Sequence, residues 1–410
     1  MNGMKRAFVF IFLTVLIDVT GLGIIIPVMP DLIKHLTGGD LSEASYYSGW
    51  MSASYSIMLF VCAPIMGALS DQYGRRPVLL LSLFGFGLDY IIQGFAPNIV
   101  WLFVGRILAG VTGASYSTAA AYISDMSEPE KKAQNFGLIG AAFGLGFIIG
   151  PLLGGVLGQF GFRVPFFGSA VLALANVVFG LFVLPESLNL ANRRKFSWRR
   201  ANPIGTFKVL TKYSVLRSFI LILFLVYLAH YSLQATWAFY TMEKFKWDAV
   251  HVGYSLAFVG LMMAIVQGGL SRILIPKFGP VNSIYFGMSM AILGYLAYAF
   301  APSGIYMYLI MVPFSLSGIA GPSIQGLVAN QVPANAQGEL QGGLTSLMSI
   351  TAIFGPLLMT FLFNYFTKTS SPIVFPGASF FMAFLLTSTA LFLVIAPLKK
   401  IKSNLSAKNH

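Results

Sequence analysis

The chain has 410 residues, of which 57% are hydrophobic and only 10% charged, and its mean hydropathy is +0.78. A soluble domain cannot hide that much apolar surface, so the solvent for most of the chain is lipid. A net charge of +13 would suggest nucleic acid in a soluble protein. Here all but a handful of the 26 Lys and Arg fall in loops on one side of the expected spans. That asymmetry marks the cytoplasmic side of a membrane protein and leaves nucleic acid no role.

Apolar runs long enough to cross the hydrocarbon as helices lie near 7–29, 46–69, 78–95, 99–122, 134–158 and 164–184. Six more follow near 216–241, 250–274, 281–301, 304–328, 339–366 and 375–397. The expected fold is an all-α polytopic membrane protein of twelve transmembrane helices in two six-helix bundles, 1–184 and 216–398, with both termini cytoplasmic. Residues 185–215 form a basic linker and 399–410 a tail. The linker carries Arg193, Arg194, Lys195, Arg199, Arg200, Lys208 and Lys212, and with Trp198 it suits a cytoplasmic face of anionic headgroups. The first run contains Asp18 and no cleavage site follows it, so it reads as a span and not as a signal peptide. Cys62, the single cysteine, excludes an intramolecular disulfide and a thiolate metal cluster.

Between the second and third runs stands Gly67-Ala-Leu-Ser-Asp71-Gln-Tyr-Gly74-Arg75-Arg76-Pro77. A carboxylate ending one helix and arginines starting the next can latch through charge-assisted hydrogen bonds, or the arginines can simply mark the cytoplasmic side. A weaker copy, Gly268-Gly269-Leu270-Ser271-Arg272 with Lys277-Phe278-Gly279-Pro280, sits in the second half. An offset of 205 residues carries Gly74 to Gly279, Gly113 to Gly318, Gly137 to Gly342 and Gly150-Pro151-Leu152-Leu153 to Gly355-Pro356-Leu357-Leu358. The two halves are diverged parallel repeats, for which a substrate site at mid-membrane between them is expected.

An ionised group at the bilayer centre costs at least about 2.5–3.5 kcal/mol, so each one needs a function or a partner. Asp18 and Asp89 lie near mid-membrane, Arg106 in the fourth run and His230 in the seventh. Asp18 and Arg106 are the expected pair, either tuned to load and release protons or held as a permanent staple. Asp89 is a proton carrier or a counter-charge to a cationic substrate, and His230 reads as a packing histidine. The second half has no acid inside a span. It offers Gln234, Trp237, Gln267 and Gln325 for substrate contact, or for helix packing.

The loop at Gly67–Pro77 resembles the segment joining spans two and three in transporters of the major facilitator superfamily. Leu102-x3-Arg106-x3-Gly110-x3-Ala114 is similar to the superfamily's proton-translocation signature, and Gly137-x8-Gly146-x3-Gly150-Pro151-x2-Gly154-Gly155 to the signature of its drug/proton antiporters. The stretch Asp18-Val-Thr-Gly-Leu-Gly-Ile-Ile-Ile-Pro27, the run from Arg76 to Leu83, Leu88-Asp89-Tyr90, and Phe245-Lys-Trp247 before Val252–Ala257 all resemble the tetracycline/proton antiporter group. The resemblance implies exchange of a proton for a drug, often a tetracycline chelated to a divalent cation. It assigns proton coupling to Asp18 and Arg106, a place in the transport path to Asp89, and a cytoplasmic gate to Gly67, Asp71, Gly74, Arg75 and Arg76. Met263 and Ser289 stand where that group typically has a histidine and an acid.

The expected function is export of small amphipathic compounds by a proton-coupled antiporter in a bacterial inner membrane. It needs no cofactor or bound metal, works as a monomer on a small-molecule substrate with protons and lipid as its other partners, and is not an enzyme. The alternatives are a proton-coupled uptake symporter for a polar solute and an exporter of lipid or siderophore.

Overall fold

The computed structural model describes residues 3–128, 132–198, 214–332 and 337–408. Among them every regular element is helical. The first half contains α1 (Gly3–Ile25), α2 (Met29–Thr37), α3 (Leu41–Tyr73), α4 (Arg75–Phe95), α5 (Ile99–Thr112), α6 (Ser115–Met126), α7 (Lys132–Gly158) and α8 (Val164–Val183). The second contains α9 (Ser214–Phe245), α10 (Ala249–Ile265), α11 (Ser271–Phe300), α12 (Gly304–Ser315), α13 (Ala320–Ala329), α14 (Gln337–Thr367) and α15 (Ala378–Lys408).

Among the described residues eleven helical stretches are long and apolar enough to cross a membrane, and one of them, Ala249–Phe300, has 52 residues. At about 1.5 Å per residue that is more than twice a hydrocarbon core of about 30 Å. Gly279 divides it, because its φ of 76° and ψ of 158° are not helical. The eleven stretches therefore make twelve crossings. The fourth crossing is α5 with α6, broken at Gly113–Ala114, and the tenth is α12 with α13, joined by a 3-10 turn at Leu316–Ile319. The chain is thus an all-α, multi-pass membrane protein.

The repeat is written in the backbone itself. Gly74 has φ 109° and ψ 161°, and its mate 205 residues on, Gly279, has φ 76° and ψ 158°. Ala96 and Ala301 end their helices at φ −52° and −51° with ψ 119° and 123°. Asn98 and Ser303 start the next helices from extended backbone, and the turn bonds Trp101 N to Asn98 O and Tyr306 N to Ser303 O correspond as well. Packing follows the same register: α1 packs on α7 and α8 as α9 does on α14 and α15, and α4 packs on α8 as α11 does on α15.

Two compact units result. One comprises Met1–Pro203 with Trp247–Gly260, the other Ile204–Lys246 with Leu261–His410. Unit 1 buries Phe10, Ile11, Leu79, Leu83, Tyr122 and Ile139 in its core. Unit 2 buries Phe219, Ile284, Met288, Ile324, Leu344 and Val394 in its own.

The glycine string in α7 explains why the start of α10 clusters with unit 1. Gly146, Gly150 and Gly154 recur every four residues and so share one face. A Cβ at Gly146 would meet Val19 at 2.8 Å, one at Gly150 would meet Thr20 O at 2.6 Å, and one at Gly154 would strike the carbonyl of Ile24, so α1 lies flush against that face. Gly155 faces elsewhere: its Cβ would sit 2.8 Å from Ala249 O, while a Cβ at Gly253 would strike Pro151 O. Backbone meets backbone on both sides of α7, the kind of contact that missing side chains allow. Gly137, at the head of the string, has open space around it.

The paired bends differ in what surrounds them. A Cβ at Gly74 would strike the Glu186 carboxylate, whereas at Gly279 none of the described residues lies within 4 Å. Alanine at either position suffers the left-handed backbone, on the order of 1–3 kcal/mol, but only Gly74→Ala must also displace Glu186. Thermal unfolding in detergent is expected to show a clearly larger loss for Gly74→Ala than for Gly279→Ala. Equal losses would mean that the contact with Glu186 carries no weight.

Candidate functional site

Helices α4 and α5 form a hairpin over the short turn Ala96–Asn98, so residues equally far from the turn meet across it. Asp89 and Arg106 are such a pair. Arg106 Nη2 donates to Asp89 Oδ2 in an ion pair whose carboxylate is 0% exposed and whose guanidinium side is 10% exposed. Gln93, one turn on from Asp89, donates from Nε2 to Asp89 Oδ1 at 2.6 Å. Gly105 lets the helices close, since a Cβ there would stand 2.5 Å from Asp89 Oδ1. On the other side the Arg106 guanidinium lies 5.9 Å from the centre of the Tyr55 ring in α3, a cation–π distance. Arg106 Nε and Gln93 Oε1 are buried without a partner among the described residues.

This corrects the expected pairing of Arg106 with Asp18. Asp18 in α1 is half-buried and accepts a hydrogen bond from Ser115 Oγ at 2.7 Å. Ser115 begins α6, just past the break at Gly113–Ala114, so α1 meets the fourth crossing beyond the break while Arg106 lies before it. Tyr90, next to Asp89, reaches toward α1, with its hydroxyl 3.3 Å from where a Cβ at Gly21 would be. Asp18 and the Asp89–Arg106 pair are thus two distinct polar centres of unit 1. The signal that would have found the pairing is the symmetry of the α4–α5 hairpin.

At the end of unit 1 where α3 stops, a second polar cluster forms. Arg75 Nη1 lies 2.6 Å from Asp71 Oδ1 and donates to Ser70 Oγ at 2.7 Å, and Arg75 Nε donates to Asp125 Oδ2 at 3.1 Å. Gly67 lends only its carbonyl, which accepts from Ser70 Oγ at 2.8 Å, and has open space around it. Glu186 caps α4: its carboxylate accepts from Arg75 N at 2.8 Å and Arg76 N at 3.2 Å. Free N–H groups at a helix start favour such an anion. Arg76 Nη2 donates to Leu181 O at 2.7 Å, fastening α8 to the same corner. The linker continues the cluster, with Arg194 N donating to Asp71 O at 3.0 Å and Phe196 N to Gln72 Oε1 at 2.9 Å. Its basic residues Arg199, Arg200, Lys208 and Lys212 lie outside the described residues. Sequence reading missed Ser70, Asp125 and Glu186 as latch partners; Asp125 at the end of α6 and Glu186 just after α8 share the face of Arg75, which is the signal they offered.

In unit 2, Gln234, Gln267 and Gln325 are exposed. His230, expected as a packing histidine, is exposed too, one turn from Gln234. Trp237 is 3% exposed, with its ring edge-on to Tyr298 at 5.4 Å and to Phe380 at 6.2 Å. An aromatic core holds it, so its place is packing and not the open face expected of a substrate contact. Gln267 lies in a π-helical turn, Val266–Leu270, of a kind found often at functional sites. Met263 and Gln267 flank Gly318, whose Cβ would lie 3.3 Å from the Met263 sulfur and 3.4 Å from Gln267. Ser289 is half-buried on α11. Among the described residues no group of three or more His, Cys, Asp or Glu is placed to hold a metal ion.

The family model described as Major Facilitator Superfamily matches residues 11–356. The tetracycline resistance protein of class C from Escherichia coli is 38% identical over 359 residues, covering 88% of this chain and 90% of that protein. The class H protein from Pasteurella multocida is 33% identical over 366 residues, with 88% and 90% covered. Among solved structures, the human organic anion transporter MFSD10 superposes with a TM-score of 0.70 at 23% identity, covering 96% of this chain and 100% of that one. With the sequence match extending through both repeats and the fold agreeing over nearly the whole length, the chain belongs to the Major Facilitator Superfamily.

Proposed function

We propose that the protein is a proton-driven antiporter that exports small amphipathic compounds, tetracycline-like drugs among them, by alternating access. Its relatives of class C and class H are tetracycline resistance proteins. The observation that carries the reading is the buried Asp89–Arg106 pair, with Gln93 on the same carboxylate and Asp18 held separately by Ser115. A carboxylate in a low-dielectric interior beside a cation binds a proton only when the cation lets go, so a change of helix contact can load or release it. Asp18 and Asp89 are the two places where a proton can reside, and Arg106 governs when Asp89 takes one.

In this reading the face with the Asp71–Arg75 latch is cytoplasmic and both termini lie on that side of a bacterial inner membrane. Gly67, Asp71, Gly74, Arg75 and Arg76 form the gate, and Gly146, Gly150, Pro151, Gly154 and Gly155 the bearing on which α1 and the start of α10 rest. The exposed amides Gln234, Gln267 and Gln325 line the drug's path, because an amide facing lipid would lose its hydrogen bonds. The proton gradient supplies the drive, so no cofactor is needed, and the protein acts as a monomer without covalent chemistry.

Asp89→Asn is expected to abolish proton-linked drug uptake into everted membrane vesicles; full coupling in that variant would place the proton on Asp18 alone. The same change leaves the Arg106 cation buried and unpaired, about 3–5 kcal/mol of destabilisation. Adding Arg106→Gln is expected to restore thermal stability in detergent but not coupling, which separates a folding defect from a lost proton site. In an efflux-deficient host, the intact chain is expected to raise resistance across a drug panel and Asp18→Asn to remove it.

A further inference from the structure

The end of unit 1 opposite the latch carries an acidic cluster that the transport reading above does not use. The helix α2 is nine residues long, too short to cross a membrane, and sits where α3 begins, at the far end of that helix from Asp71. It lines an open cavity of about 580 Å³ with Asp31, Lys34 and His35, closed on other sides by Gly158, Gln159 and Phe162. Next to this cavity the start of α10 lies against α7: a Cβ at Gly158 would be 3.4 Å from Ala249 Cβ and 2.8 Å from Val28 Cγ1. Val28, Gly158 and Ala249 thus make one seam, with Asp31 one turn beyond Val28 and Asp248 next to Ala249. The segment Trp247–Gly260 packs within unit 1 while the chain on either side of it belongs to unit 2.

We propose that Asp31 is a proton-binding site of the outer face whose occupancy closes the α7–α10 seam. The inference rests on the export reading, which makes this face the one toward the acidic compartment. The charges that act on Asp31 are Lys34 on its own helix and Asp248 just before α10; His35 shares its cavity, His251 contacts Asp248, and the Glu43 carboxylate lies against Gly39 of the same cavity. The His35 ring packs on Phe162 at 4.8 Å. Arg163 is taken by the carbonyls of Gly94 and Ala96 at 3.1 and 3.0 Å. Asp40 caps α3 by accepting from Glu43 N at 2.8 Å.

Burial raises the Asp31 carboxyl above the ordinary carboxylate range; Lys34 pulls it down and the negative charge of Asp248 pushes it up. For Asp248 burial is also the largest single effect and acts upward. The His251 backbone and ring, with the Val250 N–H, outweigh it and hold Asp248 below the ordinary range as an anion. The His251 ring nitrogen lies 2.7 Å from Asp248, a contact within α10's own first turn that survives opening. Opening the seam removes from Asp31 both the burial and the facing anion, so its proton affinity falls. A group that binds protons more tightly when the seam is closed closes it as the pH falls, and reopens it as the pH rises through the closed-state value. Protons arriving from an acidic outer compartment would then shut the outer end before cargo is collected from within.

The test reads the seam in the full-length protein in lipid nanodiscs, through a thiol introduced by Ala249→Cys in a Cys62→Ser background. Its alkylation by a membrane-impermeant maleimide is divided by the rate for the denatured chain at the same pH, which cancels thiolate chemistry. The ratio is expected to fall several-fold between about pH 8 and about pH 5.5, a one-unit shift in affinity corresponding to a tenfold change. Adding Asp31→Asn is expected to leave it low at both pH values, and Lys34→Gln to move the transition to higher pH. A flat ratio in the parent, or an undiminished pH response with Asp31→Asn, overturns the proposal. Proton-driven drug transport by the parent, measured in parallel in vesicles, tests the export reading separately: its failure with a pH-responsive seam would sink that reading and leave the site.

Discussion

The hydrocarbon interior allows no lone charge, and unit 1 is arranged around meeting that demand at Asp89 and Arg106. The pair fixes how α4 and α5 face each other, requires glycine at position 105, and sets Gln93 on the remaining carboxylate oxygen. Asp18, with no cation beside it among the described residues, takes a hydroxyl from Ser115. A neutralised pair in a dry interior is stable only while both members stay, so the centre is at once a structural staple and the place where adding one proton changes most.

At the membrane edge the same electrostatics work under milder terms. Arg75 divides itself among Asp71, Ser70 and Asp125, while Glu186 holds the start of α4 and the linker returns to the end of α3. With Asp71 37% exposed, its ion pair is screened and individually weak. The corner holds because backbone donors and side-chain charges converge on it from α3, α4, α6, α8 and the linker. Such modest contacts can be released one at a time, whereas breaking the buried pair leaves a charge stranded.

The fold could be read almost entirely from the sequence, because lipid imposes long apolar runs and the duplication left its period in the glycines. Gly74 and Gly279, picked out as identical letters, turned out to have the same bend. The site was read only in part. Asp18, Asp89 and Arg106 stand out since charges in apolar runs are rare, yet which acid meets Arg106 depends on the turn at Ala96–Asn98 and the break after Thr112. Whether His230 and Trp237 are exposed or buried could not be read from their letters, and one is exposed while the other sits in the core, because a polar-aromatic side chain suits either place. Glu186 and Asp125 went unnoticed as partners of the latch, being ordinary acids at or just past helix ends until folding brings those ends together.

The two copies of the bend also record what duplication preserves. Gly74 is hemmed in by Glu186, whereas Gly279 has the same bend with none of the described residues beside it. The two bends share their geometry and not their surroundings. Ancestry in such chains is therefore better traced through torsion angles than through side-chain identity, and a position conserving an awkward conformation with no neighbour to require it is a fossil of the undivided ancestor.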